Sequence, residues 1–352
     1  MVEIVAVIIS LFFAMNIGAS GAAASMGIAY GSGAIRKRRI ALWICALGVI
    51  MGAVIGGGEV VKTISSGIMP SSMMSMEVVI IILSSATLSL FLANLMGIPL
   101  STSEVTVGAV VGIGIAYEVL YVNSLLFIMA FWVIVPVIGF LVTYISGKLI
   151  FSRPSIKKAP KFLTIILIAA GFLEAFSAGM NNVANAVGPL VGAGVMSTTT
   201  GTLIGGLAVG IGAIVLGGKV LETNGKKITQ FTKGEGILLS STGAGLVIIS
   251  SIFGLPVPLT QVTTSSIIGI GMAKKGRGVF HKQIVQKMLK VWIVSPLFSL
   301  TISYFLVQLW LLQHYYSLVV LISVMIATTG AISLKKMVMD EKRAIQEQGG
   351  GI

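Results

Sequence analysis

Apolar runs long enough to cross hydrocarbon recur along nearly the whole of this 352-residue chain, and they leave few folds open to it. Reading those runs against polar breaks gives spans at 4–35, 41–58, 78–96, 98–116, 123–147, 162–194, 198–217, 236–253, 255–273, 288–308 and 316–334. Charged residues are only 10% of the chain and hydrophobic ones 56%, whereas a soluble domain is about a quarter charged. Such a composition cannot cover a water-facing surface. In a bilayer every backbone polar group must be satisfied internally, so long apolar runs imply helices.

The basic residues orient those helices. Alternate loops hold Arg36, Lys37, Arg38 and Arg39, then Lys148, Arg153, Lys157, Lys158 and Lys161, then Lys219, Lys226, Lys227 and Lys233. Lys274, Lys275, Arg277, Lys282, Lys287 and Lys290 follow, and Lys335, Lys336, Lys342 and Arg343 complete the set. That is 23 of the 24 basic residues on one side, with Lys62 alone on the other. Basic residues collect in cytoplasmic loops, so the expectation is eleven crossings, with the N-terminus outside, the C-terminus inside and a plasma-membrane location. The same asymmetry accounts for the +13 net charge without a nucleic-acid partner. The first span opens on Glu3 rather than a basic cluster and lacks a cleavage signal, so it reads as a retained helix. Cys45 is the sole cysteine and forms no internal disulfide. No phosphate-binding loop of an ATPase is present, and no cofactor or metal site is expected.

The chain matches itself three times at an offset near 160 residues. NIGASGAAASMGIAYGSGA (16–34) aligns with SAGMNNVANAVGPLVGAGV (177–195), and GGEVVKTISSGI (57–68) with GGKVLETNGKKI (217–228). GIPLSTSEVTVGAVVGIG (97–114) aligns with GLPVPLTQVTTSSIIGIG (254–271). One half holds five spans, an odd number, so the second half is expected upside down in the membrane. Inverted repeats of this kind recur in secondary transporters. The expected fold is an all-α polytopic membrane protein with broken or re-entrant helices near its site. Its parts are a first repeat at 1–147, a basic linker at 148–161, a second repeat at 162–308, an extra span at 309–334 and a cytoplasmic tail at 335–352.

The second match reverses charge: Glu59 aligns with Lys219 and Lys62 with Glu222. Each half thus carries an acid–base pair at i, i+3, on one helical face. Surface ion pairs at helix ends explain this simply. The alternative is that the pairs lie on opposite membrane faces and bias two conformational states.

Polar residues inside spans gather in the first and third matches. Ser20, Gly21 and Ser25 stand in one half, and Gly179, Asn181, Asn182 and Asn185 in the other. Small residues also suit close helix packing, but three amides within five residues exceed that need. In the third match, Pro99 precedes Ser101, Thr102, Ser103 and Glu104, while Pro256 and Pro258 precede Thr260, Gln261, Thr263 and Thr264. Proline followed by hydroxyls starts a helix whose first amide N–H groups are free and attract anions. Neither segment contains lysine or arginine. An anion held there would rest on N–H groups, hydroxyls and helix dipoles. Glu104 and Glu174 are the acids deepest in the expected spans. Each is either a proton carrier or a neutral carboxyl hydrogen-bonded within the bundle. His281 and His314 fall in a basic loop and near a span end, as surface residues do.

Over essentially its whole length the sequence resembles the inorganic phosphate transporter (PiT) family, whose G-A-N-D-x-A-N motif occurs once in each half. Here GMNNVANAVGP (179–189) stands in the second half and GASGAAASMG (18–27) in the first, with GIPLSTSE (97–104) and LGGKVLETNGKKIT (216–229) also family-like. The resemblance implies ion-coupled uptake of a tetrahedral oxyanion by an inverted-repeat fold, and it leaves room for a homodimer. Both motif aspartates are missing, with Gly21 and Asn182 in their places. Phosphate at neutral pH carries O–H donors that need an acceptor, and sulfate carries none, so a buried carboxylate favours the first and repels the second. The pattern is similar to the bacterial sulfate permease branch of the family.

The expectation is therefore a sulfate importer coupled to a cation, H+ ahead of Na+ (which backbone carbonyls and Asn181 could still ligate), that works by alternating access with no enzymatic chemistry. Substrate contacts are expected from Ser101, Thr102, Ser103, Thr260, Gln261, Thr263, Thr264, Asn181, Asn182 and Ser20, and proton coupling from Glu104 and Glu174. Conformational ion pairs would be Glu59–Lys62 and Lys219–Glu222. Thiosulfate and phosphate are alternative substrates, and membrane lipid is the surrounding partner. A phosphate symporter of the same family and an anion channel are the competing functions. An intramembrane enzyme would need a nucleophile–base or metal constellation, and neither histidine is near the hydroxyl clusters.

Overall fold

The computed structural model describes residues 1–95, 100–151, 161–222, 231–276 and 283–317, together with 319–324 and 327. The described residues are helical or in short connections, with no strand among them. Helix α1 (Val2–Ile17) passes through one widened turn, Gly18–Ala22, into the short α2 (Ala23–Ser25) and α3 (Gly27–Gly31). Then come α4 (Arg38–Gly56), α5 (Gly58–Lys62), α6 (Met76–Leu95), α7 (Thr102–Ala116) and α8 (Val122–Phe151). The order repeats with α9 (Lys161–Gly192), α10 (Thr198–Leu216), α11 (Gly218–Glu222), α12 (Lys233–Ile252), α13 (Leu259–Lys275) and α14 (Gln283–Leu306). Met1–Ser303 forms one compact unit. In the second, Tyr304–Ile352, a widened turn at Val307–Leu311 follows α14, and Gln308 Oε1 lies 3.0 Å from His314 Nδ1. Most of the span expected at 316–334, the tail at 335–352, most of the linker at 148–161, and His281 lie outside the described residues.

Seven helical stretches among the described residues are long and apolar enough to cross a membrane: Val2–Ser25, Arg38–Gly56, Val122–Leu149, Lys161–Gly192, Thr198–Leu216, Lys233–Ile252 and Val294–Leu311. The chain is a multi-pass membrane protein. Its lipid-facing surface is apolar, as Trp43, Ile55, Val133, Ile165 and Val215 illustrate. Two expected spans are shorter than anticipated. Helix α7 has 15 residues and α13 has 17, about 22 and 25 Å at 1.5 Å per residue, short of a hydrocarbon core of about 30 Å. Each is instead the second arm of a pair, α6 packing on α7 and α12 on α13. Between α12 and α13 the turn depends on Gly254 at φ +70; a Cβ there would also stand 2.9 Å from Thr63 Oγ1.

Interleaved packing joins the two halves. Helix α4 lies along α9, and α1 along α10. A Cβ on Gly18 would fall 1.9 Å from the Val209 carbonyl oxygen, and one on Gly179 would fall 2.1 Å from that of Val49. Likewise Gly52 meets Phe176 O (1.9 Å) and Gly212 meets Met15 O (2.1 Å). Positions 18 and 179 are matched in the self-alignment, and 52 and 212 are 160 apart, as are 49 and 209. The contacts are thus reciprocal: each half does to the other what the other does to it. A fourth correspondence, which the sequence reading missed, lies in α8 and α14, where Trp132 matches Trp292, Pro136 matches Pro296 and Thr143 matches Ser303. Conserved hydropathy is weak there because Lys287 and Lys290 dilute the start of α14.

Candidate functional site

On α9, Asn185 lies one turn from Asn181 and three residues from Asn182, so it neighbours both along the helix surface. The sequence suggested a broken helix here. Instead α9 runs unbroken from Lys161 to Gly192, through Gly179 and Pro189, and only the matching segment of the first half departs from regular helix, at Gly18–Ala22. The asparagines need no unwinding because their amides find partners across the interface. Asn181 Nδ2 donates to Ser251 Oγ (3.1 Å) and Leu255 O (2.9 Å), and its Oδ1 accepts from Ser103 Oγ (3.2 Å). Asn182 Oδ1 accepts from Thr102 Oγ1 at 3.2 Å. Asn185 Nδ2 donates to Thr102 Oγ1 (3.4 Å) and Ser103 Oγ (3.3 Å).

These bonds hold the first turn of α7 against α9. Ser101 is the N-cap of α7, and no side chain caps the helix; Pro258 is the N-cap of α13, again without a side-chain cap. Both short helices therefore present uncapped N-termini, the positive ends of their dipoles, inside the bundle. Ser103, Glu104, Asn181 and Asn185 are fully buried, and Ser101, Thr102, Asn182 and Gln261 nearly so. The two N-termini meet directly, Gln261 Nε2 donating to Glu104 Oε1. The other oxygens of this couple, Glu104 Oε2 and Gln261 Oε1, and Asn185 Oδ1 have no hydrogen-bond partner among the described residues. Such groups are costly to leave unmet, so the region is built for something polar.

Matched positions face each other at this place. Glu104 aligns with Gln261, and the two are bonded. Gly21 aligns with Asn182, and a Cβ on Gly21 would stand 3.6 Å from Asn182 Nδ2. Ser20 does not join the cluster: its hydroxyl donates to Asn16 O (2.9 Å) within its own helix. Thr260, Thr263 and Thr264 are half-buried on α13, with no hydrogen bond to the asparagines. Glu174 is buried elsewhere, beside Ser240 of α12 and within reach of Gly243, whose Cβ would lie 3.8 Å from Oε1. Ser251, which accepts from Asn181, and Ser295, beside the Glu104 carboxyl, went unread, because no motif marks a hydroxyl whose role depends on its tertiary neighbour.

The expected charge pairs divide. Lys62 Nζ lies 2.6 Å from Glu59 Oε1, exposed, as i, i+3 spacing suggests. Glu222 is taken by Arg38 Nη1 (3.1 Å) rather than by Lys219. Arg38 lies over Gly218, a Cβ on which would sit 3.2 Å from the guanidinium carbon, so it reaches Glu222 from α4. Exposed pairs of this kind contribute about 0–1 kcal/mol. A further ion pair, Lys274 with the buried Glu235, ties the end of α13 to the start of α12. Glu235 also closes a capping box with Thr232.

A multi-pass helical bundle with uncapped half-helices around a buried amide–hydroxyl cluster is the architecture of a membrane transporter. Residues 17–303 match the model of the phosphate transporter family, and the chain belongs to that family. It is 66% identical to a sulfate permease, CysP, of Bacillus subtilis, over 99% of this chain and 100% of the relative. It is 27% identical to a putative phosphate permease of Pyrococcus furiosus, over 83% of this chain and 92% of the relative. Among solved structures, one described as the sodium-dependent phosphate transporter superposes with a TM-score of 0.76 at 24% identity, covering 89% of this chain and 99% of that one. These relatives are permeases, and the chain is a transporter rather than an enzyme.

Proposed function

We propose that the chain is a proton-coupled sulfate importer in which two inverted halves, 1–147 and 162–308, alternate access to an anion site between the N-termini of α7 and α13. The observation that carries this is the amide–hydroxyl cluster of Asn181, Asn182, Asn185, Thr102 and Ser103, which has no carboxylate opposite the hydroxyls. The acid nearest the cluster, Glu104, has one oxygen committed to Gln261. A cluster with no carboxylate of its own lacks the charged acceptor that a phosphate O–H calls for, which suits an oxyanion without O–H groups. The 66% identity to a sulfate permease supports the same substrate, and the reciprocal glycine contacts support halves related by a two-fold axis. With an odd span count per half, that axis lies in the membrane plane, the N-terminus outside and the C-terminus cytoplasmic.

Energetics favour cation coupling. Moving a dianion inward against 100 mV, inside negative, costs about 4.6 kcal/mol, twice the roughly 2.3 kcal/mol per charge. Two co-transported protons would cancel that charge, and the two buried carboxyls, Glu104 and Glu174, are the carriers of this proposal. Ser20, Thr260, Thr263 and Thr264 would line the approach, and the Glu59–Lys62 and Arg38–Glu222 pairs would weight the two states.

The experiment is labelled sulfate uptake into proteoliposomes under an imposed pH gradient, with phosphate, thiosulfate and sodium varied in turn. Sulfate uptake that rises with the gradient, is competed by thiosulfate and ignores phosphate and sodium is expected. Phosphate uptake without sulfate uptake would overturn the substrate. A requirement for sodium would overturn the coupling ion, and non-saturable flux would point to a channel.

A further inference from the structure

Glu104 does not sit alone on its far side. Ser295 of α14 lies close enough to act on the Glu104 carboxyl, both residues are fully buried, and Glu104 Oε2 and Ser295 Oγ have no hydrogen-bond partner of good geometry among the described residues. Ser295 is followed at intervals of four by Ser299 and Ser303, so the three hydroxyls form one row along one face of α14. All three residues have no solvent exposure at all. The row follows α7: one turn beyond Glu104, a Cβ on Gly108 would stand 2.5 Å from Ser299 Oγ and 2.3 Å from Pro296 O. That glycine lets the two helices close on the hydroxyls. Ser299 donates to Pro296 O (3.3 Å) and Ser303 to Leu300 O (3.1 Å), which leaves their oxygens able to accept.

The matching helix of the other half has no such row. Ser295, Ser299 and Ser303 correspond to Val135, Gly139 and Thr143 of α8. The asymmetry follows the acid: the half-helix with Glu104 meets a row of three hydroxyls, and the half-helix with Gln261, which cannot titrate, is served by α8 with valine and glycine at the first two positions and a hydroxyl, Thr143, only at the third. Structural packing alone gives no reason for fully buried serines to accompany the carboxyl and be absent beside the amide.

We propose that the Ser295–Ser299–Ser303 row is the route by which protons reach Glu104 from the outer face. This rests on the reading of Glu104 as the proton carrier and on the orientation given by the basic loops. The start of α14 carries Lys287 and Lys290 on the cytoplasmic side, so 295, 299 and 303 lead outward. Hydroxyls four residues apart stand about 6 Å from one another along the axis, a gap one bridging water closes. Each hydroxyl both donates and accepts. A proton arriving at Ser303 is handed on by exchange of O–H bonds, and the last transfer, through water or Ser295, protonates the Glu104 carboxylate. Proton number and charge are conserved at each step.

The test uses the full chain in proteoliposomes, with external pH varied at fixed internal pH and sulfate/sulfate counterflow measured in parallel. Ser295→Ala and Ser299→Ala should each lower gradient-driven uptake at least tenfold and flatten its external-pH profile, while counterflow falls far less. Thr301→Ala, exposed on the same helix and bonded to its own backbone, should keep the wild-type profile. Driven uptake within twofold of wild type in both serine variants overturns the route. A parallel loss of counterflow also overturns it, since the hydroxyls then serve the anion or the fold. If wild-type sulfate uptake ignores the pH gradient, the coupling reading itself falls, whatever the serine variants do.

Discussion

At the scale of single residues, the proposed selectivity turns on Asn182. Its Oδ1 accepts from Thr102, and its amide nitrogen faces the bare backbone of Gly21. Replacing it by aspartate keeps the shape and the Thr102 bond but sets a negative charge beside the N-terminus of α7. That charge competes with a dianion and supplies an acceptor for the O–H of hydrogen phosphate. Asn182→Asp should lower sulfate uptake at least tenfold and give measurable competition by phosphate, read from labelled uptake in proteoliposomes. Undiminished sulfate uptake would show that this side chain lies off the anion's path. The type and position of Asn182 were legible from sequence, because three amides in an apolar run have no packing rationale. The partners of the amides were not: Ser251 stands 70 residues from Asn181 along the chain, in an ordinary helix end, and only folding brings the two together.

At the scale of helices, the sequence foretold where nearly every element lies, since hydropathy reports the surroundings a helix must face. It misjudged how two of them behave. Glycine and asparagine together suggested unwinding in α9, yet side-chain partners on α7 and α12 leave its backbone regular. The polar start of α13, similarly, was counted into a full span although only 17 residues are helical. Glycines proved more informative as contact points. Gly52 and Gly212 occupy reciprocal positions where another helix's carbonyl oxygen would lie 1.9 and 2.1 Å from a Cβ. Gly52→Leu and Gly212→Leu should each destabilise the protein by about 1–3 kcal/mol or more, as overpacking does, with similar drops in thermal midpoint. Gly245→Ala, with nothing within 4 Å of the added carbon, should be neutral or slightly stabilising, as alanine favours helix.

At the scale of the whole molecule, the proposed two-fold relation would bring matched residues together only on its axis. Glu104 with Gln261 and Gly21 with Asn182 are two such meetings, and both fall at the proposed anion site. Exchanging the conformations of the two halves, the simplest route between outward- and inward-facing forms, would leave an axial contact in place. The Glu104–Gln261 bond is then present in both states, and the carboxyl can change its proton without losing its partner. The exchange Glu104→Gln with Gln261→Glu probes this directly. It keeps one acid, one amide and the bond between them, but moves the acid to the helix served by Val135 and Gly139 of α8 instead of Ser295 and Ser299 of α14. Glu104→Gln alone should abolish gradient-driven sulfate uptake. If only the number of carboxyls on the axis mattered, the double variant would recover driven uptake in full. The hydroxyl asymmetry predicts otherwise: sulfate counterflow at or above that of Glu104→Gln, with driven uptake still at least tenfold below wild type. Recovery of driven uptake when Val135→Ser and Gly139→Ser are added to the exchanged pair would show that a carboxyl on this axis needs a hydroxyl row on its own side.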